Sequence, residues 1–172
     1  MKTNIILIGL PTSGKSTVGV LLAKNLGLRF LDTDLLIQEQ EGMLLHEIIA
    51  TRGNEAFLAV EDRVNASVQV EQTVISTGGS AVYGERAMRH LGEIGHVVYL
   101  KIDYETLERR LGDYSHRGVV LREGTTLRDL YEERTALYEH YADATVDEKD
   151  TEGDLTKTVE RALAICHRLL KA

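Results

Sequence analysis

Short apolar runs and longer segments with helical periodicity alternate along the chain. Asn4–Ile8 is a β-branched, apolar run, which is typical of a strand buried on both faces of a sheet. After a glycine-containing loop, apolar residues recur at spacings of three and four from Val18 to Leu26, and Gly27 follows where a helix C-cap is expected. The chain therefore opens with a strand, a loop and a helix.

The same alternation continues to the end of the chain. Four more strands are predicted, at Arg29–Asp32, Thr73–Ser76, His96–Leu100 and Ala144–Val146. Four more helices are predicted between or after them, at Glu85–Leu91, Asp103–Leu111, Leu127–Tyr141 and Asp154–Leu170. Strands that alternate with helices indicate a parallel sheet covered by helices on both faces. We predict one α/β domain over residues 1–172, with a five-stranded parallel sheet between two helical layers.

Two segments depart from this alternation. Residues 33–70 look helical in pieces, with breaks near Gly42 and Gly53, and this insertion between strands is the natural place for a substrate-binding subdomain. Residues 112–125 carry glycines and arginines with little apolar periodicity. Because connections of that length often close over active sites, we predict a lid there.

Composition narrows the function classes. The 172 residues include 20 basic and 27 acidic side chains, which give a net charge of −7, so the basic surplus that nucleic acid selects is absent. No apolar run approaches the roughly 18 residues of a membrane span, and the N-terminal sequence lacks a secretion signal. Cys166 is the single cysteine, which excludes an intrachain disulfide and a thiolate zinc site. We expect a cytoplasmic monomer that acts on a small molecule.

The segment Gly9–Ser16 matches the phosphate-binding P-loop, in which a glycine and four further residues precede Gly-Lys-Ser. Backbone N–H groups and the helix dipole make such a loop an anion cradle. Lys15 can bridge the outer phosphates of ATP, and the Ser16 hydroxyl can bind Mg²⁺. A chance loop is the alternative, but the flanking strand and helix are those the motif requires. The predicted nucleotide-binding residues are Thr12, Ser13, Gly14, Lys15, Ser16 and Thr17.

Asp32 and Asp34 end the second predicted strand. Residues two apart in an extended chain face the same side, so both carboxylates can point into one cleft. One can hold magnesium while the other orients the proton of an attacking hydroxyl. The alternative for Asp34 is a helix N-cap, and the two roles are compatible.

Other polar residues could serve the acceptor or the transferred group. Gly78, Gly79 and Ser80 follow the third strand, where a glycine pair lets a ligand approach the backbone, although a plain turn explains them equally well. Arg117 and Arg134 could stabilise a transferring phosphoryl group. Spacing does not separate them from four competing arginines, which are Arg109, Arg110, Arg122 and Arg128.

Together these motifs resemble the shikimate kinase family over essentially the whole chain. The resemblance rests on the P-loop, on Leu31-Asp32-Thr33-Asp34, on Phe57, on Gly78-Gly79 and on Val97–Leu100. Near the C-terminus it rests on Arg109-Arg110, Arg117 and Glu133–Tyr138. It implies a three-layer P-loop kinase fold with a substrate-binding subdomain and a mobile lid, and ATP- and Mg²⁺-dependent phosphorylation of shikimate to shikimate 3-phosphate.

The resemblance also implies residue roles. Asp34 corresponds to the residue that binds and activates the substrate hydroxyl, and Lys15 to the phosphate-side lysine. Ser16 and Asp32 correspond to the magnesium-side groups. Arg117 corresponds to the lid arginine, Arg110 to a residue that packs against adenine, and Arg134 to one arginine of a clamp for the substrate carboxylate.

Two positions depart from the family's pattern. Leu58 stands where the family has the second clamp arginine, and Ser80 stands where it has a third glycine. Leucine cannot make the paired, charge-assisted hydrogen bonds of a guanidinium, and the helical neighbours of Leu58 are neutral or acidic. A different hydroxy compound, such as a hydroxylated amino acid or a polyol, is therefore an alternative acceptor. A silent nucleotide-binding homologue and a nucleoside monophosphate kinase are further alternatives.

Overall fold

Five parallel strands form one sheet in the computed structural model, which describes residues 2–112 and 124–171. The strands run in the spatial order β2-β3-β1-β4-β5. Their bounds are β1 Asn4–Ile8, β2 Arg29–Asp32, β3 Thr73–Ser76, β4 Gly95–Lys101 and β5 Ala144–Asp147. The predicted α/β class and the five strands are confirmed, with β4 and β5 slightly longer than the sequence indicated.

Eight helices connect or follow the strands in the described residues. Their bounds are α1 Lys15–Leu26, α2 Thr33–Glu41, α3 Leu45–Arg52, α4 Asn54–Ala66, α5 Glu85–Ile94, α6 Tyr104–Leu111, α7 Leu127–Tyr141 and α8 Leu155–Leu169. Gly27 adopts the left-handed conformation after α1, as expected of a C-cap glycine. The predicted breaks at Gly42 and Gly53 are confirmed, because these glycines separate α2, α3 and α4. None of these helices combines the length and the apolarity that crossing a membrane would need.

The central strand sends alternate side chains into two cores. Ile5 and Leu7 belong to the core formed with α1 and α8, whereas Ile6 and Ile8 belong to the core on the face of α5, α6 and α7. All five residues of β1 are buried, as the continuous apolar run predicted.

A smaller third core holds α2, α3 and α4 together. Ile37, Ile48, Phe57 and Val64 form its centre. This arrangement gives residues 33–70 a packing unit of their own beside the sheet. Of the predicted lid, residues 113–123 lie outside the described residues.

The strand order determines where a ligand can bind. β1 pairs with β3 on one side and with β4 on the other, so the chain leaves β1 toward one edge of the sheet and later returns to the opposite side. Loops that leave the carboxyl ends of strands at such a reversal separate and open a crevice. The glycine-rich loop after β1 therefore lies at the mouth of this crevice.

Candidate active site

The loop between β1 and α1 presents the start of a helix to the crevice. Gly14 precedes α1 in a left-handed conformation, with φ of 85°, and no side chain caps the helix. Thr12 also has a positive φ, of 67°, so the chain curls tightly before the helix. An uncapped helix N-terminus following such a curl favours an anion such as phosphate.

Lys15 is held across this loop. Its Nζ donates to the carbonyl oxygens of Gly9 and Leu10, each at 2.8 Å. Burial lowers the pKa of Lys15 to about 8, although the nearby carboxylate of Asp34 opposes the shift. The buried ammonium faces the cavity that the loop lines, as a phosphate-side lysine must.

Ser16 and Asp32, the two predicted magnesium-side residues, are in direct contact. The Ser16 hydroxyl donates to Asp32 Oδ2 at 2.7 Å and lies 3.3 Å from the Ser76 hydroxyl at the end of β3. Hydroxyl and carboxylate oxygens are hard ligands, and a Mg²⁺ site at a phosphate loop takes its remaining ligands from phosphate and water. This donor set fits Mg²⁺, although no group of three or more His, Cys, Asp or Glu side chains in the described residues could enclose a metal alone.

Asp34 lies in the first turn of α2 and lines the same cavity. Burial raises the pKa of Asp34 to about 6, the charge of Asp32 adds to the shift, and Lys15 opposes it. The alternative in which Asp34 caps α2 is wrong, because Asp32 is the cap: its Oδ1 accepts from the Asp34 backbone N–H at 3.0 Å. Since Asp32 satisfies the helix end, the Asp34 carboxylate is not needed there.

The Gly78–Gly79 segment after β3 forms the wall opposite the phosphate loop. A Cβ on Gly78 would lie 2.5 Å from Glu61 Oε1 and 2.8 Å from Asp34 Oδ1. A Cβ on Gly79 would lie 2.9 Å from Pro11 Cδ and 3.1 Å from Arg134 Nη1. A side chain at Gly78 would displace the carboxyl groups of Glu61 or Asp34, and one at Gly79 would press on Pro11 and Arg134, so both glycines keep space between groups that line the cavity.

Arg134 projects from α7 into this wall and is 1% exposed. Its Nε donates to the Tyr83 hydroxyl at 3.4 Å, and its guanidinium lies 5.4 Å from the centre of the Tyr83 ring. One helical turn later, the Tyr138 hydroxyl donates to the Gly79 carbonyl at 2.6 Å. α7 therefore supplies both a buried cation and a hydrogen bond that fixes the glycine segment.

Ser80 also lines the cavity, but its hydroxyl donates to Glu61 Oε2 at 2.5 Å. Burial raises the pKa of Glu61 to about 7, Asp34 adds to the shift, and the Ser80 hydrogen bond opposes it. The sequence analysis did not select Glu61 as a site residue. Its spacing from Phe57 was the available signal, because residues four apart share one face of a helix.

These side chains surround one cavity of about 480 Å³. The predicted residues that line it are Thr12, Gly14, Lys15, Ser16, Thr17, Asp34, Gly78, Gly79, Ser80 and Arg134. The structure also brings Pro11, Leu45, Phe57 and Thr77 to its wall. Donor-side and acceptor-side candidates thus meet in one space, although they come from four separate parts of the chain.

Arg110 lies on the other side of the phosphate loop. Its Nη1 donates to the Thr12 carbonyl at 3.3 Å, and its Nη2 forms an ion pair with Glu148. With Ser13 and Gly14 it lines a smaller cavity of about 100 Å³. Arg110 is therefore adjacent to the phosphate site, where a nucleotide base could extend.

Leu58 does not line the main cavity. It packs against the third core, beside Leu36 and Ile49. Arg52 and Arg63, the arginines closest to it in sequence, both pair with Glu41. Arg117 lies outside the described residues.

Comparisons with known proteins identify relatives of this chain in sequence and in fold. A family model described as shikimate kinase matches residues 11–164. A shikimate kinase from Moorella thermoacetica is 39% identical over 165 residues, which cover 95% of this chain and 93% of the relative. The crystal structure of shikimate kinase from Aquifex aeolicus aligns with a TM-score of 0.78 at 32% identity, over 94% of this chain and 95% of that one. A shikimate kinase from Acinetobacter baumannii in complex with shikimate aligns with a TM-score of 0.75 at 32% identity, over 85% and 83%.

Proposed function

The chain belongs to the shikimate kinase family, and we propose that it transfers the γ-phosphoryl group of ATP to shikimate, giving ADP and shikimate 3-phosphate. It is a phosphotransferase with a hydroxyl acceptor. The observation that carries the proposal is the meeting of Lys15, Asp34 and Arg134 around one cavity between the phosphate loop and the glycine segment.

On the donor side, the start of α1 and Lys15 receive the phosphates of ATP. The helix N-terminus supplies N–H donors, and the Lys15 ammonium supplies a positive charge. The attraction between this charge and the phosphates is stronger in a buried site than in water. Ser16 and Asp32 would hold Mg²⁺. When bound, the metal neutralises charge on the phosphate oxygens during transfer.

On the acceptor side, Asp34 receives the proton of the attacking hydroxyl. With a pKa of about 6, its carboxyl is mainly ionised at neutral pH yet retains more affinity for a proton than an exposed aspartate. Its position beside Gly78 puts it near the backbone that the acceptor approaches. The hydroxyl is thereby held for in-line attack on the γ-phosphorus.

Arg134 is proposed to bind the carboxylate of shikimate. A buried guanidinium makes paired, charge-assisted hydrogen bonds with a carboxylate, and the Tyr83 contact holds it in the wall of the cavity. Arg117 remains proposed as the lid arginine, and Arg110 as the residue that packs against adenine. Every residue in this scheme comes from one chain, so the scheme requires no second subunit.

Because Leu58 stands where the family has the second clamp arginine, the identity of the acceptor needs a direct test. An ADP-release assay with shikimate, a hydroxylated amino acid, a polyol and nucleoside monophosphates compares kcat/KM across the acceptors. We expect shikimate to exceed every other acceptor by at least about a hundredfold. The polyol and the nucleoside monophosphates have no carboxylate for Arg134 to bind, and the hydroxylated amino acid would bring an ammonium group towards its guanidinium. Higher kcat/KM with any other acceptor would replace shikimate in the proposal, and ATP binding without transfer would indicate a silent homologue.

A further inference from the structure

Glu61 is a buried carboxyl in the acceptor wall for which the proposed reaction has no role. It is 1% exposed and lies on the cavity side of α4. Its Oε2 accepts the hydrogen bond from Ser80 at 2.5 Å, whereas its Oε1 has no hydrogen-bond partner in the described residues and lies against Gly78. Leaving a carboxyl buried without donors is costly, so the single hydrogen bond from Ser80 matters to its position.

Ser80 uses the only proton of its hydroxyl in the hydrogen bond to Glu61. It is 6% exposed, and a serine hydroxyl has one proton to donate, which here goes to Glu61. The same residue immediately follows Gly79 and precedes the 3₁₀ turn Ala81–Tyr83. A hydrogen bond at this point therefore ties α4 to the end of the glycine segment.

In the described residues no side chain of α4 donates to Glu61, although the buried amide of Asn65, four residues later, has no hydrogen-bond partner. Leu58 lies three residues earlier, at a spacing where side chains meet on a helix surface, but it is apolar and packs into the third core. Arg63 pairs with Glu41. Of the two departures from the family's pattern, Ser80 thus donates to the buried carboxyl, and Leu58 lies three residues before it on α4.

The carboxyl also determines the position of the glycine segment. Gly78 lies between the carboxyl oxygens of Glu61 and Asp34, and Gly79 lies against Pro11 and Arg134. Because Glu61 is packed beside Gly78 and bonded to Ser80, a change in its position would alter the backbone that the acceptor approaches. Displacing Glu61 would therefore act first on Gly78 and Ser80, and it would reach the phosphate loop only through the contact of Gly79 with Pro11.

We propose that Ser80 and Glu61 form a positioning pair that holds the glycine segment against Asp34 and Arg134. Leu58 cannot donate a hydrogen bond to Glu61, and in this proposal the Ser80 hydroxyl supplies that hydrogen bond instead. The proposal rests on shikimate being the acceptor. Neither residue takes part in the chemical step. Their hydrogen bond sets the geometry of the acceptor site and links the residue types at positions 58 and 80.

The first test removes the hydroxyl with Ser80→Ala. We expect KM for shikimate to rise about tenfold, which corresponds to the loss of one hydrogen bond to a charged group, while KM for ATP changes less than about twofold. Ser67→Ala is the matched control, because it removes a serine hydroxyl that donates to the Val64 carbonyl at the end of α4, and we expect it to change neither KM. Glu61→Gln retains an acceptor oxygen for Ser80 and should stay closer to the parent KM than Glu61→Leu.

The second test uses the coupling between positions 58 and 80. An arginine introduced by Leu58→Arg can reach Glu61 from one helical turn away, so Ser80→Ala in that background should raise KM for shikimate by less than about twofold. The Tm of the parent, the two single variants and the double variant is then measured without ligands. Ser80→Ala should lower the Tm less in the Leu58→Arg background than in the parent.

The outcomes separate the two proposals. A parent enzyme that does not phosphorylate shikimate contradicts the proposed function, and the unfolding cycle still decides whether Ser80 and residue 58 are coupled. A parent enzyme that turns over normally, with Ser80→Ala at the parent KM or with equal effects in both backgrounds, overturns the positioning pair.

Discussion

The carboxyl of Asp34 needs to be ionised at neutral pH and also needs a higher proton affinity than an aspartate in water has. It must be ionised to attract the proton of a hydroxyl, yet it must hold that proton well enough for transfer to help. Burial raises its pKa, and Asp32 adds to the shift, while Lys15 limits it, so the value is about 6. The position of Asp34 between a cation and a second carboxylate therefore suits it to general-base work.

Asp34→Asn is the direct test of this role. The amide keeps the size of the side chain but cannot accept a proton, so kcat should fall by about 10² to 10⁴-fold. ATP affinity measured by calorimetry should change little, because the phosphate loop is intact. Asp150→Asn is the control, since it removes an exposed carboxylate that pairs with Arg161, and it should keep the parent kcat. An Asp34→Asn enzyme with parent turnover would contradict the assignment.

A plot of kcat/KM against pH should rise on the acid side, reach a maximum and fall on the alkaline side. Activity requires ionised Asp34, so it should rise as the pH passes about 6, and it requires the Lys15 ammonium, so it should fall as the pH passes about 8. Limiting concentrations of both substrates make the profile report the free enzyme. The phosphates of ATP also bind protons in the pH range in which Asp34 does. The affinity for ATP is therefore measured over the same range, so that the effect of ATP protonation can be separated from that of Asp34. A flat profile between pH 5 and 7 would contradict the role of Asp34.

The spacing of Asp32 and Asp34 predicted that they act at one cleft, but the division of their roles came only from the family resemblance. Both residue types cap helices and both bind metals. The start of α2 at Thr33 makes Asp32 the cap, so the Asp34 carboxylate in the first turn is not needed for capping and lines the cavity. A shift of two residues in that boundary would exchange the roles, and helix boundaries are weakly specified by sequence.

At the scale of elements, α7 carries two site residues on one face. Arg134 and Tyr138 are four residues apart, so they lie one above the other and reach the same glycine segment. Arg134 was predicted as a site residue from its charge and from the family resemblance, whereas Tyr138 was given no role and was named only as the end of the segment Glu133–Tyr138. Its role is visible only once the Gly79 carbonyl is known to lie within 2.6 Å.

Tyr138→Phe should weaken the acceptor site while leaving α7 packed. Loss of the hydroxyl leaves the Gly79 carbonyl without this donor, so the free energy of unfolding should fall by about 1–3 kcal/mol and KM for shikimate should rise several-fold. Chemical denaturation and initial-rate kinetics measure the two effects. Tyr131→Phe is the control on the same helix, because its hydroxyl donates to the Ile102 carbonyl at 3.3 Å, away from the glycine segment. Equal effects of both variants on KM would contradict a specific role for Tyr138.

Element types were predictable here because the local signals agreed with the final packing. The run Asn4–Ile8 is apolar on both faces and becomes the central strand, buried on both sides. Glu61 shows the limit of such signals, because a charged residue on an amphipathic helix is normally placed in solvent. Its burial depends on Ser80, which comes from a loop 19 residues away.

At the scale of the whole molecule, the order of strands creates the site. Alternating strands and helices predict a parallel sheet, but they do not state that β3 pairs with β1 while β4 takes the opposite side. That arrangement opens the crevice at the end of β1 and places the ends of β2 and β3 beside the phosphate loop. The strand order was not among the predictions, because composition and periodicity do not contain it and the family resemblance supplied only five parallel strands between helical layers.

The central claim is that one cavity holds ATP and shikimate together and joins them by phosphoryl transfer. Phosphorus NMR of the protein with ATP, Mg²⁺ and shikimate tests it directly, because the phosphorus atoms of substrates and products give separate signals. The account predicts that ADP and a phosphate monoester of shikimate appear in equal amounts, and that Asp34→Asn slows the appearance of both by about 10² to 10⁴-fold. Release of inorganic phosphate alone, or unchanged ATP in the presence of shikimate, would contradict it.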